Sequence, residues 1–535
     1  MNLELARYVV PGRLAEELGF AFYLSFFATD LPILPGKILG PMTTAEGTEH
    51  FRVLAGMEKK IIGRTVFELL DLSRLLPNLD LLLPVFAAGR LEQYHLFELG
   101  SFLDADERLA ASEQALPLHP GALDANTALQ RLLRERTGAD YGTLKAGDEA
   151  ERLRGELALL ERELKKKIAG YEEEILAETG LAMVFPWPRE LALSRDEAIR
   201  ISSCSLLTME QKEDVWLLGY APGPELTDLT ARREVLSAEL EEMMAGILAA
   251  INRELQRFYS DFADYYRRRC RRAWQYLLLS VKIDRGFSWP VFTETPGGSF
   301  LQAYIPAMQA RKKERCIPLD LDLAGGANVL FGAHMSGKTT VLKTLYFVLS
   351  LIRVGLPVPA ALAMLNYPEH VALMLKSSGN MQRDLSAFGE EVAFFTGEIP
   401  DGAWLLADEL FLSTDPVNGA ILSEIFIKAF AAREMVFLCT THYPAVLDIN
   451  GISLSRMLDC ELPERGDRAD LPTLLEKMPY RLEKIVGDEE KEKIKHNTGP
   501  LEVALLFALP SEIKQKIREA LDCNAKEKNG SHSAG

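Results

Sequence analysis

The residues Gly332-Ala333-His334-Met335-Ser336-Gly337-Lys338-Thr339 fit the pattern G-x-x-x-x-G-K-[ST] at every fixed position. Glycines at these spacings let consecutive backbone N–H groups turn inward around phosphate oxygens, at the positive end of the helix that follows. In such a loop Lys338 reaches the outer phosphates and the Thr339 hydroxyl binds magnesium. Asn328-Val329-Leu330-Phe331 is a short apolar run that predicts a buried strand before the loop. Thr339 to Ile352 is apolar at helical spacing and predicts a helix after it, so the loop has the flanks its chemistry requires. The implied chemistry is capture of a nucleoside triphosphate with magnesium.

Further along, Trp404-Leu405-Leu406-Ala407-Asp408-Glu409 reads as an apolar strand ending in two carboxylates. In P-loop proteins a carboxylate at such a strand end orients magnesium, and its neighbour can draw the proton from an attacking water. Asp408 is therefore assigned to the metal with Thr339, and Glu409 to the base. A second apolar strand, Met435 to Thr441, ends at His442. Ligands of open α/β sheets bind at the C-terminal ends of parallel strands, which would let His442 sense a terminal phosphate. Taken singly, the same residue is an ordinary surface histidine; its order and company favour the sensor.

These residues need an α/β scaffold. From about Gly286 onward the chain alternates apolar strand-like runs with helical stretches, as expected for a mostly parallel sheet. Upstream, Leu153, Leu157, Leu160, Leu164, Ile168, Tyr171 and Ile175 form an apolar stripe at helical spacing. Leu236, Leu240, Met243, Ile247, Ile251, Leu255, Phe258 and Phe262 form another. The pattern predicts two long helical arms, either a coiled-coil hairpin or two ordinarily packed helices. Between them Phe185-Pro186-Trp187-Pro188 breaks the first arm, and Ala192 to Ser202 and Val215 to Tyr220 look like strands of a small tip domain. Residues 1–148 read as helices joined by turns, and 524–535 as disordered.

Composition sets outer limits. A chain of 535 residues implies about two to four domains. With 60 basic and 77 acidic side chains the formal net charge is −17, which disfavours a surface that grips nucleic acid everywhere but allows a local basic stripe. Six scattered cysteines without a C-x-x-C pair fit reduced thiols and no zinc site. The N-terminus lacks a signal-peptide pattern, and the apolar stretch near Gly19 to Gly36 is interrupted by Asp30, Pro32 and Pro35. The expectation is a cytoplasmic protein without a membrane partner.

The order of motifs resembles the MutS family of DNA-repair ATPases. Gly332 to Thr340 is similar to that family's G-P-N-M-x-G-K-S-T, and Gly355 to Ala360 to its V-P-A segment. Ser386-Ala387-Phe388 with Glu391 resembles its S-T-F…E loop. Asp408-Glu409, Ser413-Thr414 and Asn418-Gly419 match the register of its D-E…T-x-x-D-G segment. Thr441-His442-Tyr443 resembles T-H-Y, and Thr498 to Ala504 with Leu509-Pro510 resembles its closing helix-turn-helix.

The resemblance implies a multidomain α and α/β fold: a helical core-like domain over 1–150, lever helices over 151–285 with a clamp-like tip at about 181–226, an ABC-type P-loop ATPase domain over 286–522 with a C-terminal helix-turn-helix, and a tail over 523–535. It implies ATP and Mg2+ as cofactors, contacts to nucleotide from Gly332 through Thr340, and a homodimer with composite sites. In that dimer Ser386 of one subunit approaches phosphate held by Gly337 and Lys338 of the other, so Ser386, Glu409 and His442 make up the expected catalytic set.

There are departures. No early G-x-F-[FY]-E motif is present, so standard mismatch reading is not expected. His334 stands at the family's Asn position, and Phe411-Leu412-Ser413 replaces G-R-G. The tip carries Arg189, Arg195, Arg200 and Lys212 against Glu190, Asp196, Glu197, Glu210, Glu213, Asp214 and Glu225. The basic run Arg267 to Arg272 reads either as a helix face or as a nucleic-acid contact. Two functional readings follow: an ATPase acting on DNA structure, or an ATP-driven remodeller of a protein client such as a cobalamin-dependent aminomutase.

Overall fold

A computed structural model describes residues 4–5, 9–28, 31–33, 38–61, 63, 65–114, 123–180, 189–191, 195–212, 215–221, 223–311, 317–332, 336–375, 384–458, 481–495 and 510–530. The fold is mixed helical and α/β, with several sheets. The chain divides into two compact units, one of residues 1–74, 112–119 and 270–535, the other of 75–111 and 120–269. These divisions differ from the expected boundaries near 150 and 285. Residues 1–74 group with the α/β part because their side chains pack into it. Tyr23 stacks on Phe287 and contacts Phe347, Tyr346 donates to the Val9 carbonyl, and Thr44 N–H donates to Glu369.

The α/β unit is built on a six-stranded sheet. Its order is Val371–Met374, Trp404–Ala407, Val436–Thr440, Gly326–Phe331, Ser453–Met457, Leu482–Lys484. All neighbours run parallel except the last pair. The three central strands are buried along their whole length, so they read as continuous apolar runs rather than alternating ones. The helix Lys338–Arg353 follows the Gly326–Phe331 strand and is buried over most of its length. Helix Pro416–Ala431 begins with Pro416 at its first position and Asp415 as its cap, the carboxylate accepting the Val417 and Asn418 N–H groups. Phe395, Phe411, Phe426, Phe430 and Phe437 join in an aromatic core beneath this helix. A second, four-stranded sheet meets the first where Phe300 lies edge-on to Trp404.

In the other unit, helices Gly147–Thr179 and Pro224–Leu255 pack antiparallel. Leu160, Leu164, Leu226 and Leu229 form their shared core, with Arg154 opposite Met244 and Lys167 opposite Glu225. The apolar stripe Leu236 to Phe262 is not carried by one helix. A 3-10 turn at Gln256–Phe258 separates Pro224–Leu255 from helix Tyr259–Arg285.

Beyond the arms lies a three-stranded antiparallel sheet of Arg189–Leu191, Val215–Tyr220 and Leu207–Lys212. Of the expected strand Ala192 to Ser202, residues Arg195–Ser202 form a helix, and 192–194 lie outside the described residues. Ala198 and Ile201 bury on one side of it while Ile199 stays exposed, and Asp196 and Glu197 stand in its first turn. Phe185-Pro186-Trp187-Pro188 lies outside the described residues. So does 496–509, which holds most of the expected helix-turn-helix. Helix Ser511–Gly530 runs into the segment expected to be a tail, and 531–535 lie outside the described residues.

The basic run does not form one solvated face. Arg269 is fully buried, its Nε 2.5 Å from Asp106 Oδ1, while the Tyr265 hydroxyl donates to the other Asp106 oxygen. Arg267 is exposed and pairs with Asp264. Among the described residues no helix is long and apolar enough to cross a membrane.

Candidate nucleotide site

Strand Gly326–Phe331 delivers the chain to Gly332, and helix Lys338–Arg353 begins six residues later. Gly337, the residue capping that helix, has φ of 101°, a conformation glycine adopts and side-chain-bearing residues avoid. Lys338 is 5% exposed, and its Nζ donates to the Gly332 carbonyl at 2.8 Å, folding the lysine back along its own loop. Ser336 is buried, and its hydroxyl has no hydrogen-bond partner among the described residues. An orphaned hydroxyl inside a loop of this sequence is consistent with a site that completes its hydrogen bonds with an added acceptor. Thr340 is exposed one residue beyond Thr339. Ala333, His334 and Met335 lie outside the described residues.

The carboxylate strand Trp404–Ala407 sits one strand away from the loop strand, with Val436–Thr440 between them. All three run parallel, so their C-terminal ends open on one edge. Asp408 is buried there, and each of its oxygens accepts a hydroxyl hydrogen bond. Thr339 Oγ1 donates to Oδ2 at 2.7 Å, and Thr440 Oγ1 donates to Oδ1 at 2.9 Å. The Thr339 and Asp408 oxygens are hard ligands of the kind magnesium takes, so the donor set fits that ion.

Glu409 follows in a left-handed conformation, φ 50°, and Phe411 repeats it at 52°. His442 Nε2 lies 3.4 Å from Glu409 Oε1, and both side chains are largely buried. The turn between the two carboxylates and the next helix is fastened from several sides. Leu410 N–H donates to the Thr440 carbonyl, the Ser423 hydroxyl to the Leu410 carbonyl, and the Tyr443 hydroxyl to the Phe411 carbonyl at 3.0 Å. Burial pushes the Tyr443 phenol above its ordinary pKa, with Glu391 and Asp415 adding to the shift, so it remains a donor. Gly419 is required by this approach, since a Cβ there would collide with the Tyr443 hydroxyl and the Phe411 carbonyl.

Gly332, Ser336, Gly337, Lys338, Thr339, Asp408, Glu409 and His442 thus meet on one sheet edge of one unit. Ser386 belongs to helix Asp384–Phe394, and its side chain lies outside the description. The sequence reading missed Thr440 and Tyr443 as contributors. For Thr440 a signal exists: a hydroxyl ends an otherwise apolar strand beside two carboxylates.

No family model matches the chain. Among curated proteins, it is similar to the DNA mismatch repair protein MutS of Thermus aquaticus, 24% identical over 226 residues, which is 42% of this chain and 26% of that protein. It is also similar to the Endonuclease MutS2 of Thermus thermophilus, 32% identical over 162 residues, 30% of this chain and 21% of that protein. The Endonuclease MutS2 of Lactiplantibacillus plantarum is 27% identical over 207 residues, 38% of this chain and 24% of its own length. The matched region therefore spans about a quarter of these relatives.

Proposed function

We propose, from the premise that the chain is a MutS-like protein, that it binds and hydrolyses ATP with Mg2+ and couples that cycle to work on DNA structure in repair or recombination. The observation that carries the reading is the Thr339–Asp408 hydrogen bond, which joins the phosphate loop to the carboxylate strand at 2.7 Å. Bound Mg-ATP supplies a phosphoanhydride whose cleavage releases free energy. The remaining work belongs to the protein. Gly332 to Thr340 would cradle the phosphates, with Lys338 supplying positive charge to the outer ones. Thr339 and Asp408 would hold the metal, and Glu409 would take a proton from water. His442, 3.4 Å from the Glu409 carboxylate, would orient that carboxylate and follow the state of the terminal phosphate.

The ABC-type domain over 286–522, the lever arms and the homodimer belong to the same proposal. Ser386 would act across the dimer, on the phosphate of the opposite subunit. Mixing a Ser386→Ala protein with a Lys338→Ala protein tests this: partial recovery or poisoning of turnover supports shared sites, and simple averaging of the two activities contradicts them.

The DNA part draws support from the relatives, a DNA mismatch repair protein and endonucleases by name, and the acidic tip argues against it. The deciding experiment is ATPase rate and binding with duplex, branched and single-stranded DNA across a salt series. A DNA-acting protein binds at low salt and weakens steeply as salt rises, because released counterions drive association. No binding at low salt would leave the remodelling of a protein client, such as a cobalamin-dependent aminomutase, as the reading in its place.

A further inference from the structure

Thr440 ends the central strand Val436–Thr440, and its side chain is fully buried. Its hydroxyl accepts the Glu409 N–H at 2.7 Å and donates to Asp408 Oδ1 at 2.9 Å. Its backbone carbonyl accepts the Leu410 N–H at 3.0 Å. The direction of these bonds is forced. An amide N–H can only donate, so the single hydroxyl proton is left for the carboxylate. One residue therefore holds two consecutive amides of the turn and one oxygen of the buried carboxylate.

The turn needs holding. Glu409 and Phe411 both occupy left-handed backbone conformations, which side chains disfavour and which persist only where surrounding contacts over-determine them. Asp408 is gripped on both oxygens, by Thr339 from the helix and by Thr440 from the neighbouring strand. Its rotation about the sheet edge is fixed by that pair. Glu409 depends on its backbone placement to bring its carboxylate to His442.

We propose that Thr440 is the positioning residue for both carboxylates, its hydroxyl setting the orientation of Asp408 and anchoring the backbone of Glu409. What the carboxylates do rests on the ATPase reading. How they are held does not, because the hydrogen bonds exist within this chain alone.

The test compares the full-length protein with Thr440→Val, which keeps the shape and loses the hydroxyl, and Thr440→Ser, which keeps the hydroxyl. Without nucleotide, hydrogen exchange of the Glu409 amide, whose acceptor is the hydroxyl, should be clearly faster in the valine variant and near wild type in the serine variant. Binding of a fluorescent ATP analogue, titrated with Mg2+, should require about 10-fold more metal in the valine variant. Turnover should fall by about 10- to 100-fold with little change in KM, and serine should restore most of it. Should the valine variant fail to fold, Thr440→Ala provides the same comparison.

Wild-type exchange and metal dependence in the valine variant would overturn the inference. Equal impairment by valine and serine would also overturn it, since packing rather than the hydroxyl would then be responsible. The expected exchange difference between the variants, together with no turnover by the wild-type protein, would uphold the positioning and withdraw the ATPase reading instead.

Discussion

The Thr339 hydroxyl donates to Asp408 Oδ2 across 2.7 Å, joining residues 69 positions apart in the chain. Thr339 lies in the first turn of helix Lys338–Arg353, and Asp408 directly follows strand Trp404–Ala407, two places away in the sheet from the strand that precedes the helix. Neither residue alone defines a metal site. Their contact joins the hydroxyl and the carboxylate to which the proposed function assigns the metal.

Glu409→Gln keeps the size of the side chain and removes its ability to take a proton. Nucleotide affinity should stay near wild type while turnover, measured by phosphate release, falls by about 100-fold or more. An unaltered hydrolysis rate would remove Glu409 from the base role.

The basic run offers an internal comparison of stability. Arg269 and Asp106 form a buried pair, with side-chain exposures of 0% and 6%. Asp106→Ala leaves the guanidinium buried without its carboxylate and should lower unfolding free energy by about 3–5 kcal/mol. Arg267→Ala breaks a pair with exposures of 66% and 60% and should cost no more than about 1 kcal/mol. Urea unfolding of both variants checks this, and equal effects would contradict the burial argument.

His50 makes stability depend on pH. Burial lowers its pKa below the ordinary 6.5, opposed by its hydrogen bond to the Gly355 carbonyl at 2.9 Å, with the positive charge of Arg271 lowering it further. Above pH 6.5 the imidazole is neutral in both folded and unfolded chains. As pH falls below that value the unfolded chain binds the proton first, so the folded state loses stability until the lowered folded pKa is passed. The melting temperature of wild type should therefore fall more between pH 7 and pH 5 than that of His50→Gln. Parallel pH profiles for the two proteins would remove His50 as a source of the loss.

Much of the candidate site is legible in the sequence. The phosphate loop, the D-E pair and the histidine each follow an apolar run long enough to be a buried strand, and local pattern suffices to place them at strand ends. The long helices were legible from apolar spacing, although the break at Gln256–Phe258 was not, because the stripe continues across it. The mistaken strand at Ala192 to Ser202 has a similar cause. A short helix with few buried positions gives too little periodicity to separate it from a strand. Thr440 is not singled out there, and Tyr443 and Gly419 are matched only as motif positions, because their roles arise from contacts between separate elements. Likewise, residues 1–74 join the α/β unit through distant partners such as Phe287 and Glu369.

The most direct measurement is equilibrium binding of ATP, with and without Mg2+, to wild-type protein and to Lys338→Ala. Micromolar binding that needs Mg2+ in wild type, weakened at least about 100-fold by the substitution, is the result predicted from loss of a buried charge-assisted contact to phosphate. Equal affinity in the two proteins would contradict the nucleotide site and the functional reading built on it.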